Sequence, residues 1–102
     1  VADLSGVAYA YAAMARELGP RLAERGPDGF TRAQRFFVAY AQYYCHATRP
    51  EVARDNLSGD PHGPPRYRVN GPLSNLPAFA EAFSCAPGAA MVRPAQSRCV
   101  VW

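Results

Sequence analysis

The stretch Asp60-Pro61-His62-Gly63-Pro64-Pro65-Arg66-Tyr67-Arg68 sets one imidazole beside two guanidiniums, the densest grouping of chemistry-bearing side chains in the chain. A titratable base next to permanent cations suits binding or catalysis on an anionic or carbonyl group. Prolines 61, 64, 65 and 72 fix φ and remove backbone donors, and Gly63 and Gly71 permit sharp turns. Residues 60–75 therefore read as a stiffened surface loop, too proline-rich for a helix or a central strand. Cys45, Cys85 and Cys99 are a second candidate set, but they contain no C-x-x-C pair and only His46 adjoins one of them. That spacing is poor for a structural zinc site. The odd count leaves three readings open: one internal bridge plus a free thiol, bridges to other parts of a longer chain, or three buried thiols.

The elements that must carry these groups follow from periodicity. Leu4, Val7, Tyr11, Met14 and Leu18 recur at helical spacing until Gly19-Pro20, which predicts a first helix from about Leu4 to Leu18. Its many alanines favour helix and allow close approach by neighbours. Thr31 followed by Gln34 is a capping-box pattern, predicting a second helix that runs to about His46. The aromatics of that helix occupy almost every azimuth, so it is expected to be buried on more than one side. Pro50, Glu51 and Gly59 mark the start and stop of a short third helix. Ser74 or Asn75 can cap a fourth, with Pro77 in its first turn and Phe79, Ala82 and Phe83 inward. The tail from Ala89 to Trp102 reads as an extended strap docking through Met91, Val92, Cys99, Val100, Val101 and Trp102. Nothing suggests a substantial sheet.

With 102 residues, 49% hydrophobic, the chain is one domain or less, able to bury an ordinary core. Ten prolines and eight glycines make it loop-rich. The net charge of +3 rests wholly on arginine, scattered from Arg16 to Arg98 with acids interleaved. Without a polybasic block to follow a phosphate backbone, nucleic-acid binding is not expected. No apolar run approaches the roughly 18 to 20 residues that span a bilayer, so no membrane segment is expected here. Val1-Ala2-Asp3 enters a helical pattern at once, which reads as a piece cut from a longer protein.

Taken in order, Val1-Ala2-Asp3-Leu4-Ser5-Gly6, Gln34-Arg35-Phe36-Phe37-Val38-Ala39-Tyr40-Ala41-Gln42, Thr48-Arg49-Pro50-Glu51, Asp60-Pro61-His62, Tyr67-Arg68-Val69-Asn70-Gly71, Phe79-Ala80-Glu81-Ala82-Phe83 and Cys99-Val100-Val101-Trp102 form a pattern. It resembles, end to end, the C-terminal end of the neprilysin and endothelin-converting-enzyme family of zinc metallopeptidases. The resemblance implies that residues 1–102 are a mostly α-helical C-terminal portion of a larger thermolysin-like zincin catalytic domain. In that family a His-Glu-x-x-His helix and a Glu-x-x-x-Asp helix hold the zinc. Neither His-Glu-x-x-His nor the ligand glutamate occurs in these residues, so the ligands are expected upstream of Val1 and no metal within this chain.

The resemblance also implies roles. Asp3 matches the aspartate that orients a zinc-bound histidine and raises its basicity. His62 matches the histidine that stabilises the oxyanion formed as zinc-bound water attacks a peptide carbonyl. Arg68 matches the arginine that hydrogen-bonds the substrate backbone, a contact suited to a planar fork. Tyr43-Tyr44 replaces a bulky apolar pair, commonly Val-Trp, that lines the first primed-side pocket, and each phenol needs a partner or faces the substrate. On residue type alone these would be a first-turn acid, an exposed loop histidine, a surface ion pair and core aromatics. The ending Cys99-Val100-Val101-Trp102 departs from the family's Cys-Arg-Val-Trp. Trp102 suggests the true C-terminus, and the three cysteines correspond to ones that bridge to upstream parts of extracellular members.

The expected protein is thus a zinc metalloendopeptidase cleaving on the amino side of hydrophobic residues, in an extracellular, periplasmic or membrane-anchored ectodomain. Its partners would be peptide substrates and the rest of its own catalytic domain, and the chain alone would be inactive. The alternative is an inactive interaction module that keeps the fold without the chemistry.

Overall fold

The computed structural model describes residues 1–100. Five α-helices follow one another: α1 (Ala2–Leu18), α2 (Arg32–Tyr43), α3 (Pro50–Gly59), α4 (Pro65–Asn75) and α5 (Pro77–Ala82). Short 3₁₀ turns cover Gly19–Ala23 and Ala95–Ser97. Among the described residues there is no strand, only an isolated antiparallel bridge between Arg25 and Thr31. The expected mostly helical architecture is the one observed.

α1 buries Leu4 and Val7, and Tyr11 stacks on Phe37 at 4.8 Å between ring centres. It ends at Gly19, whose φ of +52° is strained for any residue with a Cβ. The α-helix stops before Gly19-Pro20 as expected, and Pro20 then opens the 3₁₀ turn, where its missing N–H leaves no bond unmade. Both halves of the predicted capping box form: the Gln34 N–H donates to Thr31 Oγ1 at 3.1 Å, and the Thr31 N–H donates to Gln34 Oε1 at 2.9 Å. The Gln34 amide also donates to the Ala82 carbonyl at 2.9 Å, tying the start of α2 to the end of α5.

Val7, Phe37 and Leu73 form the core, one residue from each of α1, α2 and α4. Phe37 is 1% exposed, and Phe79 of α5 and Phe83, just past its end, close over it. Removing its ring would cost about 3–5 kcal/mol, a large part of the roughly 5–15 kcal/mol that holds a domain folded. The aromatics of α2 give it more apolar perimeter than the chain covers: Ala33 and Phe37 are buried, Phe36, Val38, Tyr40 and Ala41 only partly, and Tyr43 is 82% exposed.

The largest correction concerns residues 60–75, expected as loop throughout. Only the first part is loop; α4 begins at Pro65 and carries Arg68 in its first turn. Pro65 occupies an opening position where no helical bond is lost. Pro72 lies inside the helix and lacks the N–H that would reach the carbonyl of Arg68, four residues back. That carbonyl instead accepts the Tyr40 hydroxyl of α2 at 2.9 Å. A proline count therefore misjudges a segment whose one disruptive proline is compensated from another helix.

Two smaller corrections follow at the C-terminal end. Ser74 and Asn75 do not cap α5 but complete α4, with Leu76 between the helices. The strap is held chiefly by polar clamps on its backbone rather than by its side chains. Buried Asn75 donates to the Cys99 carbonyl at 2.7 Å and accepts the Cys99 N–H at 2.8 Å, while the Arg93 N–H donates to the Ser74 carbonyl. Met91 does pack on the core, but Val100 is 84% exposed, and Val101 and Trp102 lie outside the described residues.

Candidate active site

The first turns of α1 and α4 and the end of α2 meet at one corner. Arg68 places Nε 2.8 Å from Asp3 Oδ2 and Nη2 2.7 Å from Asp3 Oδ1, a two-pronged ion pair across 65 positions of sequence. Tyr44, just past the end of α2, donates its hydroxyl to Asp3 Oδ1 at 3.2 Å, and its ring lies 4.9 Å from the guanidinium carbon. Tyr40, one turn earlier, meets the Tyr44 ring edge to face at 5.5 Å.

These contacts set the protonation states. Hydrogen bonds from the Arg68 guanidinium hold the Asp3 carboxyl below its ordinary value of 3.8, with the Tyr44 hydroxyl adding to the effect. The same bonds push the Arg68 value up, so both stay charged. Burial raises Tyr40 to about 12, and burial together with the Asp3 charge raises Tyr44, so both phenols keep their protons.

Hydrogen-bond capacity remains at the corner. A carboxylate offers about four acceptor positions, and the three bonds to Asp3 leave one on Oδ2. The guanidinium has five N–H donors, of which the ion pair uses two.

His62 stands on the loop before α4, its side chain 63% exposed. Asp60 accepts the His62 backbone N–H at 2.9 Å and lies 2.8 Å from ring Nδ1. The backbone N–H first, and the ring second, hold the Asp60 carboxyl below 3.8. An ionised carboxylate accepts only, so Nδ1 is the donor and Nε2 is the nitrogen left for other work. Donation from Nε2 then uses the doubly protonated ring.

A cleft of about 230 Å³ joins the two centres: His62 and Arg68 both line it, with Tyr44, Leu57, Asp60 and Pro65 among its other walls. The structure thus brings together four of the five residues singled out from sequence, Tyr44, His62 and Arg68 on the cleft and Asp3 behind Arg68. Tyr43 is the exception: its exposed ring leans edge-on against Tyr44 at 5.0 Å and is not part of the cleft lining. Sequence reasoning assigned no role to Asp60 or Tyr40. Asp60 was visible as a carboxylate two positions before a histidine; nothing local marks Tyr40, whose partner is 28 residues away. Nor did it foresee that Asp3 and Arg68, given separate tasks, bind each other.

Among the described residues no group of three or more His, Cys, Asp or Glu side chains could hold a metal ion. Cys45, Cys85 and Cys99 are unbridged thiols, the first and last exposed. No helix among the described residues is long and apolar enough to cross a membrane.

Comparison with known proteins gives concordant matches. The sequence model of Peptidase family M13 matches residues 1–99. Membrane metallo-endopeptidase-like 1 of Mus musculus is 44% identical over 108 residues, taking in all of this chain and 13% of the relative. Endothelin-converting enzyme 1 of Homo sapiens is 39% identical over 104 residues, again all of this chain and 13% of the relative. Neprilysin-1 of Caenorhabditis elegans is 49% identical over 75 residues, 74% of this chain and 10% of the relative. The chain therefore spans only about an eighth of the length of such relatives.

Proposed function

The chain belongs to peptidase family M13, and from that premise we propose that residues 1–102 are the C-terminal portion of the catalytic domain of a zinc metalloendopeptidase. The intact protein hydrolyses peptide bonds on the amino side of hydrophobic residues. The observation that carries this reading is the convergence of His62 and Arg68, from different local structures, on one cleft backed by Asp3.

The zinc ligands are assigned to residues outside this chain, because neither His-Glu-x-x-His nor the ligand glutamate of the family occurs in residues 1–102. Zinc would supply an activated water and polarise the carbonyl. Asp3 fits a supporting role: its remaining acceptor position on Oδ2 suits the N–H of a ligating imidazole, which would fix that ring's tautomer. His62 would donate from Nε2 to the carbonyl oxygen as negative charge develops, with Asp60 orienting the ring through Nδ1. Arg68 keeps three N–H donors for the substrate backbone while Asp3 holds its fork in place. Tyr44 forms part of the pocket wall, and Tyr43 stands at its outer side as a contact for substrate or for the rest of the domain.

The rest of the catalytic domain is the expected partner. An open groove between α1 and α2, lined by small residues such as Gly6, Ala10 and Ala39, leaves room for another element, and Tyr43, Leu57 and Val100 are exposed apolar side chains. The cysteines would bridge to that missing part, in an extracellular, periplasmic or membrane-anchored ectodomain. The isolated chain would be inactive.

The test is purification of the intact protein with its zinc content measured, followed by assay on a quenched peptide with a hydrophobic residue after the scissile bond. Hydrolysis abolished by chelation and restored by zinc is expected. The absence of both bound zinc and hydrolysis in the folded intact protein would favour the inactive interaction module. Stoichiometric sub-micromolar zinc binding by residues 1–102 alone would sink the division of ligands proposed here.

A further inference from the structure

Arg68 is held at both its backbone and its side chain by two phenols one helical turn apart. At the backbone, Pro72 removes the helical donor to the Arg68 carbonyl, and the Tyr40 hydroxyl occupies that acceptor at 2.9 Å. At the side chain, the Tyr44 ring lies beneath the guanidinium at 4.9 Å and its hydroxyl donates at 3.2 Å to the carboxylate that clamps the same guanidinium. Residues four apart share one helix face, and the two rings touch edge to face, so either phenol braces the other. Leu73, the residue after Pro72, is part of the buried core, so the compensated helix break sits where α4 is anchored.

We infer that Tyr40 and Tyr44 are positioning residues for the substrate-binding arginine: Tyr40 replaces the helical hydrogen bond that Pro72 abolishes, and Tyr44 fixes the guanidinium through its ring face and through Asp3. The inference rests on the reading of Arg68 as the group that holds the substrate backbone. It goes further in making the placement of that group depend on a pairing between Tyr40 and Pro72. Losing the Tyr40 hydroxyl leaves a half-buried carbonyl without its protein donor and loosens the first turn of α4. A guanidinium that must meet a peptide with two prongs then spends less time in register. Because such a contact acts in ground and transition states alike, the effect falls on KM.

The experiment uses the intact enzyme and measures kcat and KM on one peptide for Tyr40→Phe, Pro72→Ala, the Tyr40→Phe/Pro72→Ala double variant, Tyr44→Phe, Tyr44→Leu, Arg68→Ala and both Tyr44 changes in the Arg68→Ala background. Zinc content is recorded for each. Tyr40→Phe should raise KM about fivefold with kcat little changed, as expected for one hydrogen bond to a half-buried acceptor. In the Pro72→Ala background the restored amide can serve the Arg68 carbonyl, so the same Tyr40→Phe change should shift KM by less than about twofold. A role in general stability alone would not be rescued in this way. Tyr44→Phe, keeping the ring, should raise KM about two- to threefold, and Tyr44→Leu, losing ring and hydroxyl, about tenfold. In the Arg68→Ala background both effects should shrink to less than about twofold, whereas a pocket wall acting directly on substrate would keep its own effect there.

Equal effects of Tyr40→Phe with and without Pro72 would overturn the Tyr40 assignment. Unchanged KM in both Tyr44 variants would overturn the Tyr44 assignment, provided that Arg68→Ala still raises KM. If Arg68→Ala itself leaves KM unchanged, the substrate role of Arg68 falls and this inference falls with it. Should Tyr40→Phe not fold, the two Tyr44 variants decide their half independently.

Discussion

The two sides of the cleft are built on opposite plans. Arg68 is braced by α1 and α2, through partners 65, 28 and 24 positions away in sequence: Asp3, Tyr40 and Tyr44. His62 is braced by Asp60 alone among the contacts described, two positions away, on an exposed loop beside α3, a helix with no buried residue. The group proposed to hold substrate is therefore mounted on the core, and the group proposed for the transition state is mounted on a local turn of chain. The lesson is that rigidity at Arg68 comes from tertiary structure, whereas orientation at His62 comes from its own turn, and the two should fail in different ways.

The largest expected effect is at His62. His62→Ala in the intact enzyme should lower kcat by roughly a hundredfold or more with little change in KM, since an oxyanion donor contributes on the order of 3–4 kcal/mol to the transition state alone. Near-wild-type kcat would return His62 to an ordinary loop residue. Arg68→Ala should show the opposite pattern, a rise in KM of about tenfold or more with a smaller effect on kcat, as removal of charge-assisted hydrogen bonds implies. Matching kcat losses in both variants would erase the distinction between the two sides.

Asp60→Asn should be intermediate, lowering kcat by about tenfold and leaving KM alone, because the ring would lose its charged acceptor but keep its place. A KM effect there would mean that the loop, not the ring, had moved. The smallest effect concerns acid. Asp3 is held below 3.8 chiefly by Arg68, so its share of stability is complete above that value and is lost as the pH falls through the lowered one. Denaturant midpoints of wild type and Asp3→Asn should therefore differ at neutral pH and converge in strong acid. A gap that persists in acid would show that the charge pair is not what braces the corner.

The comparison also marks what was readable in the chain. Helices α1, α2 and α3 were legible because their stripes, caps and stops are local: the Thr31–Gln34 box forms as its spacing predicts, and Pro50 opens α3. α4 was not, because four prolines nearby outweighed its pattern, and the device that tolerates Pro72 is a tyrosine on another helix. The end of α2 was placed too late, at about His46: apolar residues continue past Tyr43, but the helix gives way to a turn at Tyr44, whose ring packs on Tyr40 and Arg68.

The site divides along the same line. Residue type and spacing were enough to mark His62 and Arg68, the resemblance to the peptidase family added Asp3 and the role expected of each, and Asp60 lay close enough in sequence to belong with His62. Only the tertiary structure joined Asp3 to Arg68, enlisted Tyr40 and turned Tyr43 away from the cleft while Tyr44 lined it. Local rules act over the few residues that share a turn or a helix face, and those the sequence determines by itself. A hydrogen bond between groups 65 positions apart depends on where the core forms, and here Val7, Phe37 and Leu73 decided that by bringing α1, α2 and α4 to one corner.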